Sequence, residues 1–94
     1  MHTLHIDITL NDIAVFRAGF AEHTEVRKQA GVIAERVQHP VGDDHSLLIE
    51  LDFGSADQAE AFLGFLRDSI WKDNPAIAGT PQARILQPLD LQPA

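Results

Sequence analysis

The chain has no cysteine and no tyrosine among its 94 residues. The first absence removes disulfides, thiolate nucleophiles and cysteine-based zinc sites together, and it leaves no mark of an oxidising compartment. Long apolar runs are missing as well, so nothing approaches the roughly 20 residues of a membrane-spanning helix. Positive charge is scarce. Seven basic side chains against 14 acidic ones give a net charge of −7, which repels phosphate backbones and anionic lipid. Neither nucleic acid nor membrane is therefore an expected partner. The first residues, Met1 to Ile6, lack a basic region followed by an apolar stretch, so they do not read as a signal peptide, and the expected location is cytoplasmic.

What is present is ordinary globular composition, 45% apolar and 22% charged. The length suits one domain over 1–94, with 90–94 as a loose tail around Pro93. The first segment alternates: His2, Leu4, Ile6, Ile8 and Leu10 share one face, and Thr3, His5, Asp7 and Thr9 the other. That is a half-buried strand. Asn11 or Asp12 offers an N-cap, after which Ile13, Phe16 and Phe20 form a helical stripe. The stripe fades at His23-Thr24-Glu25, where Thr24 offers a second cap, so the helix over 12–30 is either continuous or split. Gly31 fits the residue after a helix C-cap, behind Arg27 and Lys28, whose charges suit that end.

Val32 to His39 reads as a second strand and Pro40 to His45 as a turn, with Asp43 and Asp44 as turn residues. A third strand carries Leu47, Ile49, Leu51 and Phe53 on one face and Ser46, Leu48, Glu50 and Asp52 on the other. Ser55 and Gln58 make a capping box. The helix they open presents Ala59, Phe62, Leu63, Leu66 and Ile70, and it ends before Asn74-Pro75 because a residue preceding proline avoids the α region. Asn74 to Pro81 reads as loop and Gln82 to Leu89 as the last strand.

The order βαββαβ predicts an α+β, ferredoxin-like domain: a four-stranded antiparallel sheet, strand order 4-1-3-2, with both helices on one face. The other face is uncovered. It carries Thr3, His5, Asp7, Thr9, Leu48, Glu50, Asp52 and one parity of the last strand, either Arg84 with Leu86 or Ala83 with Ile85. For the second strand the parity stays open, since Ile33 and Val37 share a face with Glu35 and Val32 and Ala34 share the opposite one with Arg36.

Phe20, Gly31-Val32, Arg36-Val37, Asp43-Asp44-His45, Leu48 to Phe53, Ala56, Ala59 and Ala61-Phe62-Leu63, with Ile77 to Arg84 near the end, together resemble the dimeric α/β-barrel proteins. More narrowly they resemble an uncharacterised bacterial branch related to antibiotic-biosynthesis monooxygenases. The resemblance covers nearly the whole chain through fold-level motifs. It implies a homodimer in which two open sheet faces close a barrel, and a ligand cavity between sheet and helices or inside the barrel. The cofactor-free monooxygenases of the superfamily place Asn, Trp and Tyr around an aromatic substrate. Here there is no Tyr, the single tryptophan is Trp71, and the asparagines are Asn11 and Asn74. The haem-degrading branch uses an Asn on the first strand, a helical Trp and a later His. This chain matches only the Trp, so no catalytic set carries over.

The candidate residues follow. His5, Asp7 and Trp71 are the candidates for catalysis, His5 because a histidine beside carboxylates such as Asp7 and Glu50 is suited to acid–base work near neutral pH. Phe16, Phe20, Glu50, Phe62 and Trp71 are the candidates for a ligand pocket. No metal or cofactor is expected: His2 and His5 point to opposite faces, and His39 and His45 with Asp43 or Asp44 supply too few ligands. The expected function is binding of a small, mostly apolar or aromatic molecule by a homodimer, with monooxygenase-like activity or, alternatively, a non-catalytic binding or regulatory role.

Overall fold

A computed structural model describes residues 1–91, and Pro93 of the expected tail lies outside them. The elements are β1 (His2–Leu10), α1 (Ile13–Glu22), α2 (Thr24–Gln29), β2 (Ala34–Gln38), β3 (Ser46–Phe53), α3 (Ala56–Phe65), a π-helical turn (Leu66–Ile70) and β4 (Ile77–Leu86). The strands form one antiparallel sheet in the order β2-β3-β1-β4, the expected order read from its other edge. No helix is long and apolar enough to cross a membrane among these residues.

Alternation on the two central strands builds the core. Leu4, Ile6, Ile8 and Leu10 of β1 and Leu47, Ile49, Leu51 and Phe53 of β3 are buried on one face, beneath Ala59, Phe62 and Leu63 of α3. Phe53, Leu4, Ile6 and Leu51 are sealed completely, each contributing about 1.5–3 kcal/mol of apolar burial.

Local signals set the element ends. Asp12, not Asn11, caps α1 by accepting from the amides of Ala14 and Val15. Asn11 instead ties the helix start to β4, donating to the carbonyls of Pro75 and Ile77. The helix over 12–30 is split at His23, which ends α1 and begins α2. Thr24 does not cap α2, because its hydroxyl is turned back onto the Ala21 carbonyl at 2.9 Å. Gly31, at φ 100°, closes α2 in a Schellman motif, its amide bonding Lys28 and the Val32 amide bonding Arg27. Ser55 caps α3 by accepting from the Gln58 amide at 3.2 Å, but the return arm differs: the Gln58 carbonyl oxygen meets the Ser55 hydroxyl, while its amide nitrogen lies against Gly31.

Two expectations change. The last strand begins at Ile77, not Gln82, and ends at Leu86. The register moves from Thr9 opposite Ala78 to Asp7 opposite Gln82, so Gly79, Thr80 and Pro81 face Ile8 alone. This bulge tolerates the positive φ of Gly79 and the missing N–H of Pro81, the residues that make the segment look like loop. The long helix is also not uniform. It is α-helical to Phe65 and then widens, the Trp71 amide reaching the Leu66 carbonyl five residues back at 2.7 Å.

The open parities resolve through pairing. Thr3 opposes Leu86 and His5 opposes Arg84, placing Arg84 and Leu86 on the uncovered face and Ala83 and Ile85 against the core. Ala34 opposes Asp52 and Arg36 opposes Glu50, so Arg36 joins that open face while Glu35 and Val37 turn toward the helices.

Candidate functional site

The helical side of the sheet encloses a cavity of about 350 Å³. Its floor is Ile6, Ile8, Ile49 and Leu51. One wall comes from Val15, Phe16, Gly19 and Phe20 of α1 with His23, Val26 and Arg27. The other comes from Phe62, Phe65, Leu66, Ser69, Ile70 and Trp71, and Asn74, Ala76 and Ile77 close one end. The space exists because α1 does not settle onto the sheet. None of its residues is buried, and only Ile13 and Phe16 lean on the core. Phe16 and Phe20 stack at 5.6 Å between centroids on the first wall, and Phe62 and Phe65 pair at 5.8 Å on the second.

The π-helical turn shapes the second wall. One extra residue per turn shifts the side chains that follow, and such turns recur at binding sites. Here it brings Leu66, Ser69, Ile70 and then Trp71 to the cavity. Asn74 fixes the exit from the turn, donating to the Ile70 carbonyl at 3.0 Å and accepting from the Ala76 amide at 2.9 Å.

Arg27 lies behind Phe20 with 5% exposure. A buried guanidinium needs every donor matched. Nε donates to Glu35 at 2.7 Å, Nη1 to the Phe20 carbonyl at 2.6 Å, and Nη2 to Glu35 and the Thr24 hydroxyl at 3.3 and 3.4 Å.

The uncovered sheet face carries a separate, polar constellation. Arg36 bridges Glu50 at 3.1 Å and grips both oxygens of Asp52, also at 3.1 Å, while the Thr3 hydroxyl donates to Asp52 at 2.7 Å. His5 lies between two carboxylates, Nδ1 at 3.3 Å from Glu50 and Nε2 at 3.4 Å from Asp7. The hydrogen bond from Arg36, supported by Thr3, lowers the Asp52 carboxyl below its ordinary value. Arg36 and then His5 do the same for Glu50. In turn both carboxylates raise Arg36.

The sequence candidates thus fall into two groups on opposite sides of the sheet. Phe16, Phe20, Phe62 and Trp71 line the cavity together. Glu50 does not: its strand parity puts it on the open face beside His5 and Asp7. Trp71 is accordingly remote from the His5 group, and the three candidates for catalysis do not converge. Sequence reasoning missed His23, Arg27, Ser69 and Asn74 in the cavity. The break at His23 was the available signal for the first, whereas a π-helical turn leaves no periodicity to read. His39 and His45 do not meet, since each Nδ1 contacts backbone carbonyls, and no group of three or more potential metal ligands forms among the described residues.

No protein-family model matches the sequence, and no curated protein matches it. Solved structures do match its fold. A provisionally assigned antibiotic biosynthesis monooxygenase from Bordetella bronchiseptica is similar at TM-score 0.68 and 16% identity, over 94% of this chain and 97% of that one. A point mutant of MhuD, solved with two manganese protoporphyrin IX molecules bound per active site, is similar at TM-score 0.70 and 13% identity, over 99% and 100%. A dimeric ferredoxin-like protein from an uncultured marine organism is similar at TM-score 0.61 and 7% identity, over the whole of both chains. The chain therefore has the ferredoxin-like α+β fold shared by these proteins, and at such identities the likeness is one of fold.

Proposed function

We propose that this protein binds a small, mostly apolar or aromatic molecule in the cavity between its helices and sheet, as a homodimer joined through the open sheet faces. The observation that carries the reading is the cavity itself: about 350 Å³, floored by branched aliphatic side chains and walled by phenylalanine pairs and Trp71. That volume is at the small end of the range for ligand sites. The similar MhuD structure holds a porphyrin. Protoporphyrin IX carries two carboxylates, however, and Arg27, the one Lys or Arg lining this cavity among the described residues, is already engaged by Glu35. A neutral ligand suits these residues better.

Monooxygenase-like activity without a bound cofactor is one use of such a site, in keeping with the likeness to the Bordetella protein. A specific observation favours the alternative, a non-catalytic binding module. The acid–base groups His5, Asp7 and Glu50 lie on the far side of the sheet from the cavity. A panel of polycyclic phenols assayed by calorimetry and oxygen uptake separates the two. Binding with oxygen consumption supports the enzyme, binding alone supports the module, and no binding across the panel overturns the cavity reading. For the dimer, support comes from the uncovered face and from the dimeric marine neighbour. A sedimenting species near the 10.4 kDa of one chain at micromolar concentration would overturn it.

A further inference from the structure

We propose that His23 is the polar anchor of the cavity, its Nε2 accepting a hydrogen bond from a neutral hydroxyl on an otherwise apolar ligand. The inference rests on the cavity reading above and adds the chemistry of the ligand's one polar contact. His23 Nδ1 lies 2.6 Å from the Gly19 carbonyl oxygen. A carbonyl has no proton to give, so the hydrogen is on Nδ1, and in the neutral ring Nε2 is left as a bare lone pair. No described residue bonds that nitrogen, and the ring borders the cavity.

The tautomer is held by the fold. His23 ends α1 and starts α2 without capping either through its side chain toward an amide. The Gly19 carbonyl already accepts from the His23 backbone amide at 3.2 Å, so the ring bond is a second one to the same oxygen, and it clamps the imidazole at the helix junction. Histidines that present a fixed lone pair are commonly oriented through the other nitrogen in this way.

The remaining polar groups narrow the ligand further. Arg27 is consumed by Glu35, the Phe20 carbonyl and Thr24, and both ends of the Asn74 amide are bonded to backbone. A carboxylate entering the cavity would thus meet no unpaired Lys or Arg, within a chain of net charge −7. A hydroxyl on a ring system instead finds an uncharged acceptor at His23, with the Ser69 hydroxyl and the backbone-bonded Asn74 as the other uncharged polar groups of a mostly apolar lining.

The test uses naphthylmethanol, its methyl ether and naphthoate, titrated calorimetrically into the full chain at mildly alkaline pH. The alcohol is expected to bind about fivefold or more tighter than the ether, the scale of one net hydrogen bond, and naphthoate more weakly than both. In His23→Phe the alcohol and ether should bind within about twofold of each other, the preference for the alcohol being lost. Long-range nitrogen–proton NMR of the unmodified chain should report the Nδ1–H tautomer at His23, with Nε2 shifting when the alcohol is added. Equal binding of alcohol and ether, tighter binding of naphthoate, or an Nε2–H tautomer overturns the assignment to His23 while the cavity reading stands. Failure of all three compounds to bind overturns both.

Discussion

The guanidinium carbon of Arg27 lies 3.6 Å from the centre of the Phe20 ring, so the charge that closes the back of the cavity also supports one of its aromatic walls. The stack depends on Glu35, which reaches Arg27 only because β2 turns that residue toward the helices. Removing Glu35 strands a guanidinium with 7% side-chain exposure, whereas removing Arg27 leaves a carboxylate with 38% exposure that water can reach. Glu35→Ala is therefore expected to cost about 2–3 kcal/mol and Arg27→Met about 1. The double variant should be more stable than Glu35→Ala alone. Urea unfolding of the three variants checks the order, and a larger loss for Arg27→Met would contradict it.

The open face makes stability fall in acid. Asp52 and Glu50 have folded-state pKa values below their ordinary 3.8 and 4.5, through Arg36 first and then Thr3 and His5 respectively. A lowered folded value means the unfolded chain takes up protons first as the pH drops. Their stabilisation is thus complete above those ordinary values and is lost as the pH falls through the lower folded ones. Asp52→Asn should flatten the acid limb of a melting-temperature profile. A limb of unchanged slope would show that Asp52 is not its source.

Two glycines should respond in opposite directions. A Cβ at Gly19 meets no atom within 4 Å, so Gly19→Ala should raise stability by about 0.5–1 kcal/mol through helix propensity. Because Gly19 borders the cavity, Gly19→Leu should weaken ligand binding without loss of fold. At Gly31 the φ is 100° and a Cβ would lie 2.6 Å from the Gln58 amide nitrogen. Gly31→Ala should cost about 1–2 kcal/mol, and adding Gln58→Ala should recover only the part due to collision. Thermal denaturation of the single and double variants separates the two contributions.

Leu48 is half-buried on the open face, opposite Asp7 on β1 and Gln38 on β2. If that face joins two subunits, Leu48→Lys should shift sedimentation toward the monomer while the circular dichroism spectrum stays native. An unchanged sedimentation coefficient would point the dimer contact elsewhere.

The sheet was legible because β1 and β3 alternate cleanly and because Gly31, Ser55 and Pro75 mark element ends by their own chemistry. The start of β4 was not, since Gly79 and Pro81 are turn residues in isolation and become strand residues only opposite Ile8. β2 offered apolar residues on both faces, and its parity goes with a charge, Glu35, that satisfies the buried Arg27 on the preceding helix. The cavity was half legible. Phe16, Phe20, Phe62 and Trp71 stood out as aromatics at helical spacing, but Glu50 was grouped with them although its own alternation puts it on the other face. Ser69 reaches the cavity through a π-helical turn, a change of helical pitch that residue spacing does not encode.

The bulge in β4 has a consequence for how these molecules can meet. β4 and β2 are the two rims of the sheet, and rims with free backbone groups invite open-ended polymerisation. Along β4 the run is broken by the bulge and by Pro81, which has no N–H to offer. Along β2 only five residues are in strand conformation, among them the charged Glu35 and Arg36. Both rims are thus poor templates for fibre growth, and the proposed pairing through the flat of the sheet would need neither of them.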